Sequence, residues 1–339
     1  MSPSIPELIS FFFTLISIPL YTVFLYVIVR YRKKPPFNTG FFSISVSLGV
    51  ADLFMLIQSY VVYKFSDWDW FGIRNFYRNH ATGWLPKYCV IGVWAAGNAQ
   101  LLGILLLAVN RFFALVFPFK QLLLKKLTYY GILAQWGSTL IFVAPLFTTT
   151  FSFVYSNQTN ELVLEFDDWF YRNAFFAVFG LLHGLLGNSA MAVMYLVALC
   201  SVWKQQNKVQ PANTDKKRKN QLKPSNNNTG LLQAHKLEIK LALSGLAMFL
   251  TVLAYSVFMI LSLVFPVERG QINPYFVLWH VVGDVLSYEN PWLMLATSTD
   301  VRKFVTAVLL CRQPDKKVGV KVATAHTFHA HNRGPKKCL

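Results

Sequence analysis

The sequence predicts an all-α fold, a seven-transmembrane helix bundle with the N-terminus outside the cell and the C-terminus in the cytosol. Three observations lead to this prediction: the apolar composition, the long uncharged runs and the distribution of basic residues. Of the 339 residues, 54% are hydrophobic and only 14% are charged, whereas about 25% are charged in a typical soluble domain. A chain of this length with so apolar a composition is a membrane protein.

Seven segments are long and apolar enough to cross a bilayer, which requires roughly 20 mostly apolar helical residues. The predicted spans are about 8–30, 41–63, 88–117, 128–150, 174–202, 237–265 and 274–298. Membrane β-strands would instead be segments of about 10 residues with alternating polarity, so the long runs favour helices. Together the spans form one membrane domain over residues 1–312.

Lys and Arg residues predict the orientation, because they concentrate in the cytosolic connections of membrane proteins. With the N-terminus outside, 26 of the 32 basic residues fall in cytosolic segments and 6 in outer loops. The net charge of +17 is then placed against the anionic lipid of the inner leaflet, which becomes a predicted partner. The same distribution argues against a nucleic-acid partner.

The long cytosolic segments are polar and basic. Residues 203–236 are predicted to be a disordered third cytosolic loop, and residues 313–339 a basic cytosolic tail. Between the seventh span and the tail, residues 300–312 (DVRKFVTAVLLCR) are predicted to form a short amphipathic helix along the inner leaflet. Cys311 beside that surface is either a palmitoylation site or an unmodified thiol.

Ionisable residues within the spans require an explanation, because a carboxylate at the bilayer centre costs about 2.5–3.5 kcal/mol on insertion scales. Asp52, in the middle of the second span, either belongs to a functional polar network or bonds neighbouring helices for packing alone. His280 and Asp284 lie four residues apart on one face of the seventh span, and His183 lies in the fifth. These three residues are candidates for ligand binding, or for a metal or proton path.

Arg111 lies at the cytosolic end of the third span. About 23 helical residues from Tyr88 cover roughly 33 Å, so Arg111 reaches the level of the inner headgroups. A simple reading is that its side chain extends to the interface. However, six more apolar or aromatic residues, 112–117, follow before Pro118. Arg111 is therefore not the basic flank of the apolar run.

Three motifs occur in order at the appropriate ends of the spans: SLGVADLF (47–54), NRFFALVFP (110–118) and ENPWLM (289–294). They resemble the second-helix aspartate motif, the Asp-Arg-Tyr region and the NPxxY motif of rhodopsin-like G-protein-coupled receptors. More narrowly, residues 18–42 and 107–120 are similar to nematode serpentine chemoreceptors of the Srg superfamily, especially class V. The resemblance extends over nearly all of residues 8–312.

This resemblance implies a chemosensory receptor that binds an extracellular small molecule and activates a heterotrimeric G protein, with no enzymatic activity, cofactor or metal. It implies that Asp52, Asn290 and Pro291 belong to a hydrated activation network. Arg111 and Asn110 would then couple to the G protein. The implied location is the plasma membrane, as a multi-pass protein, and within it the cilium of a sensory neuron.

Some positions depart from the receptor pattern. Asn110 replaces the acidic partner of the arginine, so the usual ion pair cannot form there. Phe112 and Met294 replace tyrosines, and the sixth span lacks the CWxP motif. The outer disulfide of the family cannot form because residues 151–173 contain no cysteine, so we expect Cys89 to be a buried free thiol.

Two other functions compete with a receptor. A seven-span transporter or ligand-gated channel would use the intramembrane residues His183, His280, Asp284 and Glu289, although internal repeats are not evident. An intramembrane metal hydrolase would use three of them, His183, His280 and Asp284, as zinc ligands, although no hydrolase motif encloses them. A retinal Schiff base is disfavoured because the seventh span contains no lysine.

Glycosylation tests the predicted orientation. Two sequons are present, Asn157-Gln158-Thr159 in a predicted outer loop and Asn227-Asn228-Thr229 in a predicted cytosolic loop. We expect Asn157→Gln to abolish an endoglycosidase-sensitive shift in gel mobility, because only Asn157 is accessible to the modifying enzyme. The matched Asn227→Gln control should leave the shift unchanged. A glycan mapped to Asn227 contradicts the orientation.

Overall fold

The computed structural model describes residues 3–34, 36–117, 121–156, 161–168, 170, 174, 185–209, 226–265 and 274–312. Within them, seven long helices form a bundle and a shorter eighth helix follows. In chain order these are α1 (Ile5–Tyr31), α2 (Gly40–Gln58), α3 (Trp84–Val116), α4 (Gln121–Val143), α5 (Asn188–Val209), α6 (Asn226–Val264), α7 (Pro274–Thr297) and α8 (Thr299–Leu309). The predicted all-α, seven-helix bundle is confirmed, and its orientation across the membrane stays a prediction.

The helices differ from the predicted spans mainly at the ends that were predicted to be cytosolic. α4 begins at Gln121 rather than near 128, and α6 begins at Asn226 rather than near 237. α5 continues to Val209, so both α5 and α6 extend as helix into the predicted loop 203–236. Hydropathy indicates only where a helix leaves the hydrocarbon of the membrane. Lys and Gln also favour helix in water, so a helix can continue beyond its apolar run. Residues 210–225 and 313–339 lie outside the described residues.

Five helices of the described chain are long and apolar enough to span a membrane. Their apolar ranges are Ile5–Tyr31, Gly40–Val62, Trp84–Val116, Leu124–Phe147 and Ala242–Ser262. A shorter apolar helical range, Leu185–Ser201, belongs to the fifth helix. α7 is outside this set and carries four of the polar residues singled out above: His280, Asp284, Glu289 and Asn290. The polarity of α7 therefore has to be explained by its neighbours.

α3 is the central helix of the bundle, in contact with α2, α4, α5 and α6, while α7 packs on α1, α2 and α6. Glycines permit the closest approaches. A Cβ atom on Gly49 of α2 would lie 3.0 Å from the ring of Tyr21 in α1. Glycine at this position therefore leaves room for the Tyr21 ring inside the bundle. Small residues are typical of helix interfaces in membranes for this reason.

The outer ends carry ordered structure that hydropathy did not predict. After α2 come a π-helical turn, Ser59–Lys64, and short helices at Phe65–Trp68 and Ile73–Asn79. Between α4 and α5, strands β1 (Phe151–Ser156) and β2 (Glu161–Phe166) form an antiparallel hairpin. These segments cover the outer side of the bundle.

Tyr77 joins the hairpin to the segment after α2. Its ring centroid lies 4.9 Å from that of Phe153, whose backbone N–H donates to the Ala81 carbonyl at 2.8 Å. The Tyr77 hydroxyl donates to the Val61 carbonyl at 2.7 Å. Burial raises the pKa of Tyr77 to about 12, so the phenol remains a neutral donor.

α8 is the predicted amphipathic helix. Val301 and Val305 are buried, and the ring of Phe304 packs 5.0 Å from Tyr31 and 5.1 Å from Phe37, measured between centroids. At the C-terminal end of α8, Leu309 and Leu310 are exposed, and so is the free thiol of Cys311. The palmitoylation of Cys311 stays a prediction.

Two helical glycines provide a matched test of the packing. A Cβ atom on Gly103 would lie 2.8 Å from Gln135 Nε2 and 3.0 Å from Leu48, whereas a Cβ atom on Gly137 meets nothing within 4 Å. We expect Gly103→Ala to lower the thermal unfolding temperature, because α2 and α4 must move away from α3. Gly137→Ala should keep or raise it, since alanine favours helix by about 1 kcal/mol. Equal effects of the two substitutions would contradict this packing.

Candidate functional site

Asp52 and Asn290 lie in one hydrogen-bonded cluster at the centre of the bundle. We call this cluster the central network; its other members are Tyr21, Gln100 and Ser287. Asp52 accepts a hydrogen bond from the Tyr21 hydroxyl and one from Gln100 Nε2 at 2.8 Å. Gln100 Nε2 also lies 2.9 Å from Ser287 Oγ, and Asn290 Nδ2 donates to the Tyr21 hydroxyl at 3.1 Å.

The central network joins four helices: α1, α2, α3 and α7. Its members are at most 3% exposed, and an unpaired polar group at such a site costs several kcal/mol. Each helix therefore loses bonded partners if it moves away from the others. Asn290 Oδ1 has no hydrogen-bond partner among the described residues. The network thus retains one acceptor for a rearranged partner or a water molecule.

Sequence reasoning identified Asp52, Asn290 and the buried Pro291 in α7, but not Tyr21 or Gln100. Tyr21 lies in an uncharged apolar run of α1, where a tyrosine is indistinguishable from a packing residue. Gln100 is an uncharged amide, so a search for ionisable residues within the spans did not find it. A helical-face comparison of the apolar spans is the signal that could have found them.

Asp284 is the centre of a second group, which we call the outer cluster: Ser10, Thr14, Tyr60, Lys64 and Asp284. Asp284 Oδ2 accepts from Ser10 Oγ at 2.7 Å and from the Tyr60 hydroxyl at 3.0 Å, and it forms an ion pair with Lys64. Thr14 Oγ1 lies 3.2 Å from the Tyr60 hydroxyl. Lys64 Nζ is also 4.3 Å from the centroid of the Tyr60 ring.

The ion pair is a residue contact that the sequence did not predict. Lys64 was assigned to an outer loop, yet its side chain is 3% exposed and that of Asp284 is 2% exposed. The π-helical turn Ser59–Lys64 places Lys64 inside the bundle. π-Helical turns within longer helices are frequent at functional sites. A buried carboxylate in α7 is therefore explained by a buried ammonium group from α2.

The remaining predicted ligand residues are not gathered into one site. The His280 ring packs 4.4 Å from the ring of Phe276 and 5.0 Å from that of Trp279, one turn from Asp284. His183 lies outside the described residues. Within the described chain, no three His, Cys, Asp or Glu side chains are placed to hold a metal ion. Cys89 is buried and free, as expected.

The two carboxylates of α7 face different neighbours. Glu289 Oε2 accepts from Thr251 Oγ1 of α6 at 2.8 Å, and its Oε1 atom has no hydrogen-bond partner among the described residues. Asp284 instead bonds to α1 and α2. These carboxylates therefore belong to separate contacts.

Arg111 is buried near the C-terminal end of α3, with 2% of its surface exposed. Its guanidinium carbon lies 3.7 Å from the centroid of the Phe41 ring, at the start of α2, and we call this contact the arginine stack. Asn110 does not pair with Arg111; its Nδ2 atom lies 3.4 Å from Thr128 Oγ1 in α4. An aromatic face thus contacts the arginine at the level where the family has a carboxylate.

Tyr195 of α5 lies beside the arginine stack. The Arg111 charge acts on its hydroxyl, which has no hydrogen-bond partner among the described residues. The hydroxyl packs against Gly245 of α6 so closely that a Cβ atom there would clash with it. The Tyr195 ring lies 5.9 Å from that of Phe249, also in α6. Close packing of α6 therefore covers the arginine on this side.

A double-mutant cycle tests the outer cluster. Either Asp284→Asn or Lys64→Met alone leaves one buried charge without its counter-charge, which costs about 3–5 kcal/mol. We expect each single variant to lower the thermal unfolding temperature of the purified protein. The double variant should recover much of that loss, because no buried charge remains. Additive losses would show that Lys64 and Asp284 do not interact.

Comparison with known proteins agrees with this architecture. The family model described as a serpentine type seven-transmembrane G-protein-coupled chemoreceptor, Srv, matches residues 10–311. Serpentine receptor class V-1 of Caenorhabditis elegans is 28% identical over 305 residues, which cover 88% of this chain and 89% of that protein. The matched range contains α2 to α8 in full and all of α1 except its first five residues. The chain belongs to the Srv family of serpentine seven-transmembrane chemoreceptors.

Proposed function

We propose that this chemoreceptor binds an extracellular small molecule and activates a heterotrimeric G protein by uncovering Arg111. The observation that carries the proposal is a buried arginine at one end of the bundle, whose guanidinium group stacks on the Phe41 ring. A guanidinium group offers five hydrogen-bond donors, and a phenylalanine ring has no oxygen atom to accept them. A partner with carboxylate or carbonyl oxygens therefore binds an uncovered Arg111 better than Phe41 does.

The proposed orientation places the N-terminus outside and Arg111 on the cytosolic side. It is supported by the 26 basic residues in the proposed cytosolic segments. We also propose the plasma membrane, and the cilium of a sensory neuron within it, as the location. Anionic inner-leaflet lipid is the proposed partner of the basic segments, and a palmitoyl group on exposed Cys311 would add a second attachment beside α8.

Activation works by a shift between two populations. An extracellular ligand stabilises the conformation in which α6 has moved away from α5 and α3, and it does so only by its higher affinity for that conformation. The central network connects α3 to α2 and α7 between the two ends of the bundle, because Gln100 bonds to both Asp52 and Ser287. Movement of α7 changes these bonds and, through the Glu289–Thr251 contact, pulls on α6.

Arg111→Ala is the direct test of coupling. We expect this variant to lose ligand-stimulated G-protein activation at equal surface level, because the proposed contact residue is absent. The test uses cells that carry a promiscuous G protein and a ligand found by screening. Arg30→Ala, an exposed arginine at the end of α1, is the control and should couple normally. Unchanged activation by the Arg111 variant would contradict the proposal.

Phe41→Leu tests the restraint on Arg111. A cation–π contact contributes about 0.5–2 kcal/mol, so its loss should raise the active fraction, and with it ligand-independent signalling, roughly 2- to 30-fold. The matched control is Phe42→Leu, because Phe42 is similarly buried and packs on Phe37 and Phe41, at 5.1 and 5.3 Å between ring centroids, so its loss disturbs the same packing while the Phe41 ring stays. Equal basal signalling in the two variants would show that the arginine stack does not restrain the receptor.

A transporter or channel makes a different prediction. Its best support is the buried Lys64–Asp284 pair, because intramembrane charges often mark ion pathways. The separate contacts of Asp284 and Glu289 favour the receptor instead. Ligand-gated current that persists in cells without G proteins would favour the channel.

A further inference from the structure

A cavity of about 260 Å³ lies between α3, α4, α5 and α6, apart from the central network and the outer cluster. Its walls are mostly apolar and include Leu105 of α3, Met191 of α5 and Val252 of α6. A cavity of about 150 Å³ in another protein binds benzene, and drug-sized ligands occupy about 300–1,000 Å³. The space therefore fits a molecule larger than benzene and smaller than a drug-sized ligand.

The cavity faces the lipid side of the bundle. Ser138, which lines it from α4, is exposed on the outside of the helix bundle, as is the nearby lipid-facing Leu140. In the described residues, α4 and α5 each pack on α3 and make few direct contacts with each other. A crevice between two helices that share a neighbour is a path for a ligand dissolved in the bilayer.

The lining determines the chemistry of the ligand. No charged side chain borders the cavity in the described chain, so a charged ligand would lose its hydration without a counter-charge. The polar side chains are Asn98, which donates to Thr139 Oγ1 at 2.9 Å, and Ser138. The Ser138 hydroxyl donates to the Ala134 carbonyl at 2.6 Å. Since a hydroxyl has one proton and two lone pairs, Ser138 Oγ is left as an acceptor.

We propose that this cavity binds a small, uncharged, mostly apolar alcohol that enters from the bilayer between α4 and α5 and donates its hydroxyl proton to Ser138 Oγ. The inference rests on the receptor function proposed above, for which it names the ligand class. Ketones of the same size bind more weakly, because their oxygen and Ser138 Oγ are both acceptors while the serine proton stays on the helix backbone.

Photolabelling tests the site without any signalling step. The probe is octanol that carries a photoactivatable diazirine on its chain, applied to full-length receptor in lipid nanodiscs, and labelled residues are mapped by mass spectrometry. We expect labels on the cavity-lining residues of α3, α4 and α5, with competition by excess 1-octanol. 2-Octanone should compete roughly three- to tenfold more weakly, the effect of one net hydrogen bond.

Two pairs of variants keep the test specific. Leu105→Trp fills the cavity and should reduce the labelling at least fivefold, whereas Leu140→Trp adds the same side chain to the lipid face and should not. Ser138→Ala removes the acceptor without adding volume and should weaken competition by 1-octanol roughly three- to tenfold. Ser201→Ala is its control, because Ser201 makes the same backbone bond, to the Val197 carbonyl at 2.8 Å, away from the cavity.

Several outcomes overturn the proposal. Labels spread evenly over lipid-facing residues, or labels unaffected by Leu105→Trp, mean that lipid chains rather than a ligand occupy the crevice. Equal competition by octanol and octanone overturns the alcohol class. Specific labelling without G-protein activation by alcohols would support the site and contradict the receptor function, whereas alcohol-driven activation that survives Leu105→Trp would contradict the site and support the receptor.

Discussion

The cost of an unpaired polar group in hydrocarbon is the constraint on which this bundle depends. Apolar helix faces gain little by leaving lipid for one another, so close packing and interhelical hydrogen bonds decide which helices stay together. The outer cluster ties α1 and α2 to α7, and the central network joins the same helices to α3. At the C-terminal end of α3, the arginine stack joins α3 to α2.

These contacts differ in strength, and the difference has a functional meaning. The two carboxylate-centred groups bind their helices through several hydrogen bonds each. The cation–π contact in the arginine stack contributes about 0.5–2 kcal/mol. Next to it, Gly245 of α6 packs against the hydroxyl of Tyr195. The proposed opening of the receptor therefore involves the arginine stack, while the carboxylate-centred groups keep α1, α2, α3 and α7 together as their bonds rearrange.

Sequence reasoning identified the polar residues that stand out within an apolar span, and it missed those at the edge of a span or in a uniformly apolar run. Hydropathy predicted the helices, and the resemblance to rhodopsin-like receptors implied that Asp52 and Asn290 belong to one polar network. Lys64 was wrongly assigned to an outer loop because the sequence SYVVYK does not indicate a π-helical turn. Phe41 could not be found, since an aromatic residue in an apolar run has the same pattern whether it contacts lipid or a guanidinium group. The sequence showed that Asn110 replaces an acid, but only the structure shows that Arg111 contacts Phe41.

The measurement that most directly tests the arginine stack as the restraint on α6 is the distance between the cytosolic ends of α4 and α6. Spin labels at Lys125→Cys and Lys240→Cys, both exposed positions, would be placed in a receptor whose Cys200, Cys311 and Cys338 are serine. The account predicts that Phe41→Leu increases the population of longer distances, relative to wild type and to Phe42→Leu, without ligand or G protein. Identical distance distributions in all three proteins would contradict it.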